Sequence, residues 1–270
     1  MSNNNIDRRN FLKVLSTGTA AASTGLLYGC GGDPKRQGVS QTGSYLGEVP
    51  TDKMTYRTNP HTGDKVSLLG YGCMRWPLRQ KADGSGEEID QEAVNALVDY
   101  AIAHGVNYFD VAPVYVRGLS EQATGLALSR HSRDKYFIAT KLSTHRPVPE
   151  WRTLEGSKGL FEQSLKNLRV DYIDYYLIHG VGLGGMDDLR KRLYDNGVLD
   201  FLLKERKAGR IRNLGWSFHG DVKVFDYLLS LDIPWDFVQI QLNYVDWKNA
   251  SGWNVNAEYL YGDCLLYTSD

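Results

Sequence analysis

The stretch YIDYYLIH, residues 172–179, is a mostly apolar run that ends on a histidine. Three further runs also end on a polar or ionisable residue, namely NYFD (107–110), FIATK (137–141) and LGWS (214–217). A run of about five apolar residues is typical of a strand that is buried on both faces of a parallel sheet. Barrels of parallel strands place their ligands at the strands' carboxyl ends. We therefore expect the residues that end the four runs to lie close together.

The segments between these runs have the periodicity of helices. Asp90, for example, precedes apolar residues at helical spacing and is expected to cap a helix. Strands that alternate with helices in this way predict parallel βαβ units. The predicted fold class is α/β, a (β/α)8 TIM barrel that is incomplete in this chain, with about six βα units present. The predicted strands are 67–72, 106–111, 135–141, 172–179, 211–217 and 236–244, and the helices after the first are 119–129, 159–168, 186–194, 198–208, 221–231 and 254–261.

The length, composition and charge of the chain limit the classes of protein to which it can belong. With 270 residues and 42% hydrophobic content, the chain is long enough to bury the core of one such domain. The formal net charge is −1 and no long basic run occurs, so nothing points to a nucleic-acid partner. The three cysteines, Cys30, Cys73 and Cys264, lie far apart and lack CxxC spacing. They predict neither a disulfide framework nor a zinc site, and we expect no metal ligands in this chain.

Residues 1–30 are predicted to be a targeting segment. The sequence DRRNFLK (7–13) precedes a Gly/Ala/Ser/Thr-rich stretch that is too short and too weakly apolar to span a membrane permanently. This pattern resembles a twin-arginine export signal, and the alternative is a disordered basic tail. LLYGC (26–30) resembles a lipobox with Cys30 as the lipid acceptor, although Tyr28 is bulky for its position. Residues 31–53 are predicted to be a flexible linker.

The targeting segment predicts a location outside the cytoplasm. We expect a bacterial protein that is exported to the periplasm, or held at the membrane as a lipoprotein through a lipid on Cys30. Its predicted partner in transport is the twin-arginine export machinery, a route that suits a protein that folds before it crosses.

The end of the chain is predicted to be unnatural. The last seven residues, CLLYTSD (264–270), look like a translated sequencing-adapter tail, and the alternative is an ordinary natural terminus. Residues 54–263 are assigned to the barrel. Because a complete barrel needs about 250 residues, we expect the last two βα units to be missing.

Two long motifs resemble the signatures of the aldo-keto reductase family. They are NYFDVAPVYVRGLSEQATGLAL (107–128) and FEQSLKNLRVDYIDYYLIH (161–179), and FIATK contains the family's lysine. The resemblance covers roughly residues 66–262 and implies reduction of a small carbonyl substrate with NADPH. In this family the missing units supply much of the surface for the cofactor's adenosine phosphate. The branch that the chain most resembles often ends in a cysteine-rich, iron–sulfur-type segment, which would lie in the missing region and not in this chain.

The resemblance assigns catalysis to Asp110, Tyr115, Lys141 and His179. Hydride transfer to a carbonyl leaves charge on oxygen, so a proton donor such as the Tyr115 phenol is needed. The ammonium of Lys141 would lower the phenol's pKa, and Asp110 would keep that ammonium charged. His179 would orient the carbonyl through a hydrogen bond. Taken singly, each of these residues is more often a packing or core residue, whereas the four together indicate an active site.

The resemblance also places Ser217 and Gln239 on the nicotinamide carboxamide, which needs both a donor and an acceptor. The chain departs from the common family pattern at two positions. Phe218 stands where an asparagine often follows the serine, and Leu242 stands where an aromatic residue often stacks on the nicotinamide. Trp76 is interpreted either as a wall of the substrate pocket or as a packing residue.

Two alternative interpretations exist for the fold and the function. Gly180, Gly182 and Gly185 form a GxGxxG motif, but residues 198–208 have helical spacing where a dinucleotide-binding fold needs a strand, so we reject that fold. The rival function is a non-catalytic binding or regulatory protein on the same barrel. The interpretation also leaves open that the 270-residue chain is inactive by itself, because missing strands would expose barrel edges.

Overall fold

The computed structural model describes residues 49–220 and 222–240. The strands of this part are β1 (Tyr56–Thr58), β2 (Lys65–Ser67), β3 (Tyr71–Gly72), β4 (Leu78–Gln80), β5 (Glu87–Ile89), β6 (Tyr108–Asp110), β7 (Phe137–Leu142), β8 (Ile173–Val181), β9 (Ile211–Phe218) and β10 (Phe237–Gln239). Its α-helices are α1 (Gln91–Ala103), α2 (Ser120–Leu128), α3 (Leu154–Leu168), α4 (Gly185–Leu189), α5 (Val198–Lys207) and α6 (Val222–Ser230).

One sheet organises the described residues. Its six strands stand in the order β10-β9-β8-β7-β6-β3, and every neighbouring pair is parallel. Each strand after β3 follows its neighbour in the sheet through a helical connection. This order, with the helices outside a curled sheet, is the arrangement of a (β/α)8 barrel, and it confirms the predicted α/β class.

Aromatic contacts show that the sheet curls. The Tyr175 ring of β8 lies 5.2 Å from the Tyr108 ring of β6 and 5.2 Å from the Phe237 ring of β10. Tyr108 and Phe237 come from strands on opposite sides of β8. A sheet that is concave on this face brings both rings into contact with the ring of Tyr175. On the outer face, Trp216 of β9 packs 5.0 Å from Phe225 of α6. All nine residues of β8 are buried, as expected for a strand covered on both faces.

The first predicted strand is shorter than expected. Only Tyr71–Gly72 pairs with the sheet, whereas Leu68 and Leu69 are 65% and 63% exposed. Ser67 belongs instead to an antiparallel hairpin in which β2 pairs with β1. The apolar run at 67–72 therefore combines the end of a hairpin, an exposed connection and a short barrel strand.

Helix starts follow their capping residues. The Asp90 carboxylate accepts a hydrogen bond from the Ala93 amide at 3.0 Å, as predicted for the start of α1. The Thr153 hydroxyl accepts one from the Gly156 amide at 3.0 Å, so α3 begins five residues before the predicted start. Two glycines near the beginning of α3 conceal its helical periodicity in the sequence.

The amino ends of the strands are joined by a polar network. Asp174, near the start of β8, accepts hydrogen bonds from the Arg133 and Arg212 guanidinium groups. Arg212 also reaches Asp64 at 3.3 Å, and the Tyr175 hydroxyl donates to Asp64 at 3.2 Å. Because Asp64 precedes β2, these bonds tie the β1–β2 hairpin to this end of the sheet. In this architecture that end contributes stability rather than catalysis.

Several predictions fall on other parts of the chain. The targeting segment, Cys30, the linker up to residue 48, the helix at 254–261 and the tail at 264–270 all lie outside the described residues. Within the described residues, no helix combines the length and the apolar character that crossing a membrane requires.

Gly125 is predicted to be required where α2 meets α3. A methyl group at this position would lie only 2.7 Å from Leu168 Cα and would also meet the Asn167 carbonyl. Gly125→Ala should therefore lower the free energy of unfolding, by about 1–3 kcal/mol. Urea titration of the 270-residue chain measures this change.

Gly159→Ala is the matched control for that experiment. Gly159 is also inside a helix, but its added methyl group meets nothing within 4 Å. Helix propensity then predicts a stabilisation of roughly 0.5–1 kcal/mol. Equal effects of the two substitutions would show that the α2–α3 contact is not as close as described.

Candidate active site

A buried ion pair lies at the centre of the site. Lys141 stands one residue before the end of β7, and its side chain is 2% exposed. Its Nζ lies 2.6 Å from Asp110 Oδ1, at the end of β6, and donates to the Val111 carbonyl at 2.9 Å. Burying an ammonium costs several kcal/mol unless it is paired and hydrogen-bonded. The aspartate and the carbonyl meet that requirement.

Tyr115 lies beside this pair on a short 3-10 turn, Tyr115–Gly118, that follows β6. Lys141 Nζ is 4.9 Å from the centre of its ring. Val116 and Arg117 have left-handed backbone conformations, with φ of 47° and 55°. Such values are rare for a β-branched residue, so the surrounding packing must hold this turn in place.

The phenol of Tyr115 is less acidic than the sequence suggested. Burial raises the pKa of Tyr115 above its usual value. The charge of Lys141 and its hydrogen bond to the phenol lower that pKa, as predicted, but they do not cancel the effect of burial. In the free chain Tyr115 is therefore a protonated phenol with an ammonium close by, which is a proton donor in its resting state.

His179 lies near the end of β8 and is 7% exposed. Its ring meets the Tyr115 ring edge-on, with the centres 6.0 Å apart. Burial is the main cause that lowers the pKa of His179 well below its usual range, and nearby imidazoles and cations act in the same direction. His179 is therefore a neutral imidazole near neutral pH, able to donate one hydrogen bond and to accept another.

The structure thus brings together the four residues Asp110, Tyr115, Lys141 and His179. In this cluster a phenol, an ammonium and a neutral imidazole converge. Such a group can deliver a proton to an oxygen atom and stabilise charge on it. Their individual roles stay predictions.

Ser217, one residue before the end of β9, stands opposite Gln239, the last residue of β10, in the β9–β10 register. The Ser217 hydroxyl accepts a hydrogen bond from the Gly180 amide at 3.0 Å, which leaves its own hydrogen for donation. The exposed Gln239 side chain reaches across the mouth of the sheet and donates from Nε2 to Asp110 Oδ2 at 3.3 Å. Gln239 therefore joins the rim of the same site.

Phe218 and Trp76 are both buried in the described part of the chain. Phe218 is 2% exposed and packs in the hydrophobic core with Trp216 and Phe225. It therefore does not take over the role of the family's asparagine. Trp76 is 4% exposed, and its Nε1 donates to the Thr124 hydroxyl at 3.0 Å, which favours the packing interpretation. Residues 198–207 form a helix after the glycine-rich loop, in agreement with rejection of the dinucleotide-binding fold. Leu242 lies outside the described residues.

The sequence reasoning missed a network behind His179. Arg192 is 1% exposed and donates to the carbonyls of His179 (3.1 Å) and Gly180 (3.2 Å), where the β8–β9 register shifts. Asp188 binds the Arg192 side chain at 2.5 Å and the Arg152 side chain at 2.9 Å. The network therefore fixes the backbone that carries His179.

Two further side chains contact His179 directly. Ser143 Oγ lies 2.7 Å from His179 Nδ1, and the His145 ring centre lies 4.3 Å from that of His179. Both residues follow Lys141 closely in KLSTH, so their position just after a predicted strand was an available signal. Arg192 offered no such signal, because it comes from a helix that looks solvent-facing in sequence. Within the described residues, no group of three or more His, Cys, Asp or Glu side chains is placed to hold a metal ion.

Known proteins are similar to this chain over the region that contains these motifs. The sequence model of the Aldo/keto reductase family matches residues 68–255. Protein tas of Escherichia coli (strain K12) is 31% identical over 205 residues, which cover 66% of this chain and 56% of that protein. L-galactose dehydrogenase of Arabidopsis thaliana is 29% identical over 196 residues, which cover 71% and 56%.

A solved structure gives the same result. The holo form of the aldo-keto reductase AKR11C1 from Bacillus halodurans matches with a TM-score of 0.51 and 27% identity, over 67% of this chain and 55% of that one. The chain thus spans about half the length of the relatives that it matches.

The partly buried imidazole of His145 is predicted to make stability depend on pH. Burial, followed by the charge of Arg192, lowers the pKa of His145 from 6.5 to about 4. Between these values the unfolded chain binds a proton that the folded chain does not, so stability should fall as pH drops from 7 towards 4. The pKa of His179 is also lowered and adds to this loss.

Urea midpoints at pH 7.5 and 5 measure this dependence. His145→Gln should reduce the difference between the two midpoints, because glutamine binds no proton in either state. The exposed His61, changed to Gln, is the control and should leave the difference as it is in the unsubstituted chain. If the difference between the two urea midpoints is unchanged in His145→Gln, the folded chain does not hold this imidazole in its neutral form.

Proposed function

The chain belongs to the aldo/keto reductase family, and from that premise we propose that it is an NADPH-dependent oxidoreductase that reduces a small aldehyde or ketone to an alcohol. The observation that carries the proposal is the Tyr115 phenol beside the buried Lys141–Asp110 pair. A tyrosine with only a packing role would not require a charged lysine beside it. The Lys141 side chain is only 2% exposed, so its ammonium is buried at the end of the sheet next to the phenol.

In the proposed reaction Tyr115 protonates the oxygen of the substrate carbonyl. When bound, NADPH supplies the hydride that the carbonyl carbon accepts. As negative charge develops on the oxygen, the Tyr115 hydroxyl gives up its proton and becomes a phenolate. Lys141 stabilises that phenolate, because its charge favours the deprotonated phenol. Asp110 holds Lys141 in place throughout through the hydrogen bond to its Nζ.

His179 orients the substrate in this proposal. A neutral imidazole donates a single hydrogen bond to the carbonyl oxygen without competing with Tyr115 as an acid. Because its ring stands edge-on to that of Tyr115, both donors can approach one oxygen atom. The substrate is therefore a small carbonyl compound that enters at the carboxyl ends of the strands.

The residues at the rim suit a nicotinamide. Ser217 retains a hydroxyl hydrogen to donate, and Gln239 offers an amide oxygen as an acceptor while its Nε2 is held by Asp110. A carboxamide needs one partner of each kind. The two residues stand side by side in the sheet register, so we propose that together they hold the nicotinamide carboxamide.

Tyr115→Phe should lower the rate of NADPH-dependent carbonyl reduction by a factor of about 10²–10⁴, because it removes the proton donor. The dissociation constant for NADPH, measured by fluorescence titration, should stay as it is. Both measurements use the 270-residue chain, together with any longer product of the same gene. Tyr100→Phe, at a tyrosine that is 55% exposed, is the control and should change neither quantity.

The outcomes separate the proposal from its rival. An unchanged rate in Tyr115→Phe would remove Tyr115 from the mechanism. Folded protein that binds no NADPH in any form would favour a non-catalytic binding or regulatory role on the same barrel.

We also propose that the protein is exported by the twin-arginine route. The proposal is supported by Arg8 and Arg9 ahead of a weakly apolar stretch, and by the lipobox-like sequence that ends on Cys30. We propose that a lipid on Cys30 then holds the chain at the membrane.

Substitution of both arginines tests this route. Arg8→Lys combined with Arg9→Lys keeps the positive charge but removes the guanidinium pair, and it should leave the protein in the cytoplasm of an expressing bacterium. Cell fractionation measures the distribution. Cys30→Ser should still be exported, but into the soluble periplasmic fraction. Export that survives the double substitution would contradict the twin-arginine interpretation.

A further inference from the structure

Ser143 and His179 form a buried pair at the carboxyl ends of β7 and β8. Ser143 is completely buried, and its Oγ lies 2.7 Å from His179 Nδ1. Among the described residues, His179 is the only hydrogen-bond partner found for this hydroxyl. Buried polar groups nearly always have partners, so the direction of this one bond matters.

Two arrangements of the hydrogen atoms are available to a neutral imidazole. If His179 Nδ1–H donated to the serine, the Ser143 hydrogen would have no acceptor among the described residues. If Ser143 donates to Nδ1 instead, both atoms are satisfied by one bond. The imidazole proton must then be on Nε2, at the other side of the ring.

The surroundings oppose a second proton on the ring. His179 is 7% exposed, and the Arg192 guanidinium binds its carbonyl oxygen at 3.1 Å. The buried ammonium of Lys141 is also close enough to act on it. Both cations disfavour an imidazolium, which would have to donate from both nitrogens. The serine therefore faces a neutral ring.

We propose that Ser143 is a positioning residue that donates a hydrogen bond to His179 Nδ1 and so holds the imidazole as its Nε2–H tautomer. The bond also fixes the rotation of the ring about its side-chain axis. The Nε2–H group then stays available for the substrate oxygen that Tyr115 protonates. The catalytic consequence rests on the proposed carbonyl reduction, whereas the tautomer does not.

Nitrogen chemical shifts of ¹⁵N-labelled histidines test the tautomer directly. In the unsubstituted chain, His179 should show a pyridine-like Nδ1 and a pyrrole-like Nε2, with the signals assigned by their loss in His179→Gln. Ser143→Ala should give a mixture of tautomers, and Ser143→Thr, which keeps a hydroxyl, should restore the Nε2–H form. Ser157→Ala removes another buried hydroxyl, one that donates to the Trp151 carbonyl, and should leave His179 unchanged.

Measurements of enzyme activity provide an independent test of the role of Ser143. Ser143→Ala should lower kcat/KM for the carbonyl substrate roughly three- to tenfold, the loss expected for one hydrogen bond, and leave the NADPH dissociation constant unchanged. A proton on Nδ1 in the unsubstituted chain, or a tautomer that does not respond to Ser143→Ala, would show the inference to be wrong. If the tautomer responds as expected but no carbonyl is reduced, the inference holds and the proposed function fails.

Discussion

The burial of one positive charge governs the arrangement of the site. Lys141 carries its ammonium into the end of a sheet strand, where Asp110 Oδ1 and the Val111 carbonyl compensate for lost water. These partners belong to the end of the neighbouring strand, so the pair also fixes how β6 and β7 meet at this face. The Tyr115 ring lies beside Lys141, and the Gln239 side chain donates a hydrogen bond to Asp110.

The two ends of the sheet use polar residues differently. At the amino ends, Asp174 is surrounded by arginines and a backbone amide, and its hydrogen bonds join strands to the β1–β2 hairpin. At the carboxyl ends, Tyr115 and His179 face each other with hydrogen-bonding capacity left over. This division places stability at one end and leaves the other free for chemistry.

Electrostatics inside the site differ from the simple expectation of a lysine that acidifies a tyrosine. Burial, with a contribution from the charge of Asp110, raises the pKa of Tyr115 despite the opposing effect of Lys141, and burial lowers the pKa of His179. Both effects disfavour charge on these two buried groups, so the resting site holds a neutral phenol and a neutral imidazole beside one compensated ion pair. In the proposed reaction, such a phenol would give up its proton only when negative charge appears next to it.

The sequence by itself determined the barrel class, the order of its strands and four residues at their carboxyl ends. It could do so because buried parallel strands are short apolar runs whose last residues share one face. Only the tertiary structure decided that Leu68 and Leu69 leave the sheet, that Arg192 holds the backbone of His179, and that Ser143 meets its imidazole. These features depend on contacts between distant segments and on the balance of burial against charge, neither of which has a period or a spacing in the sequence.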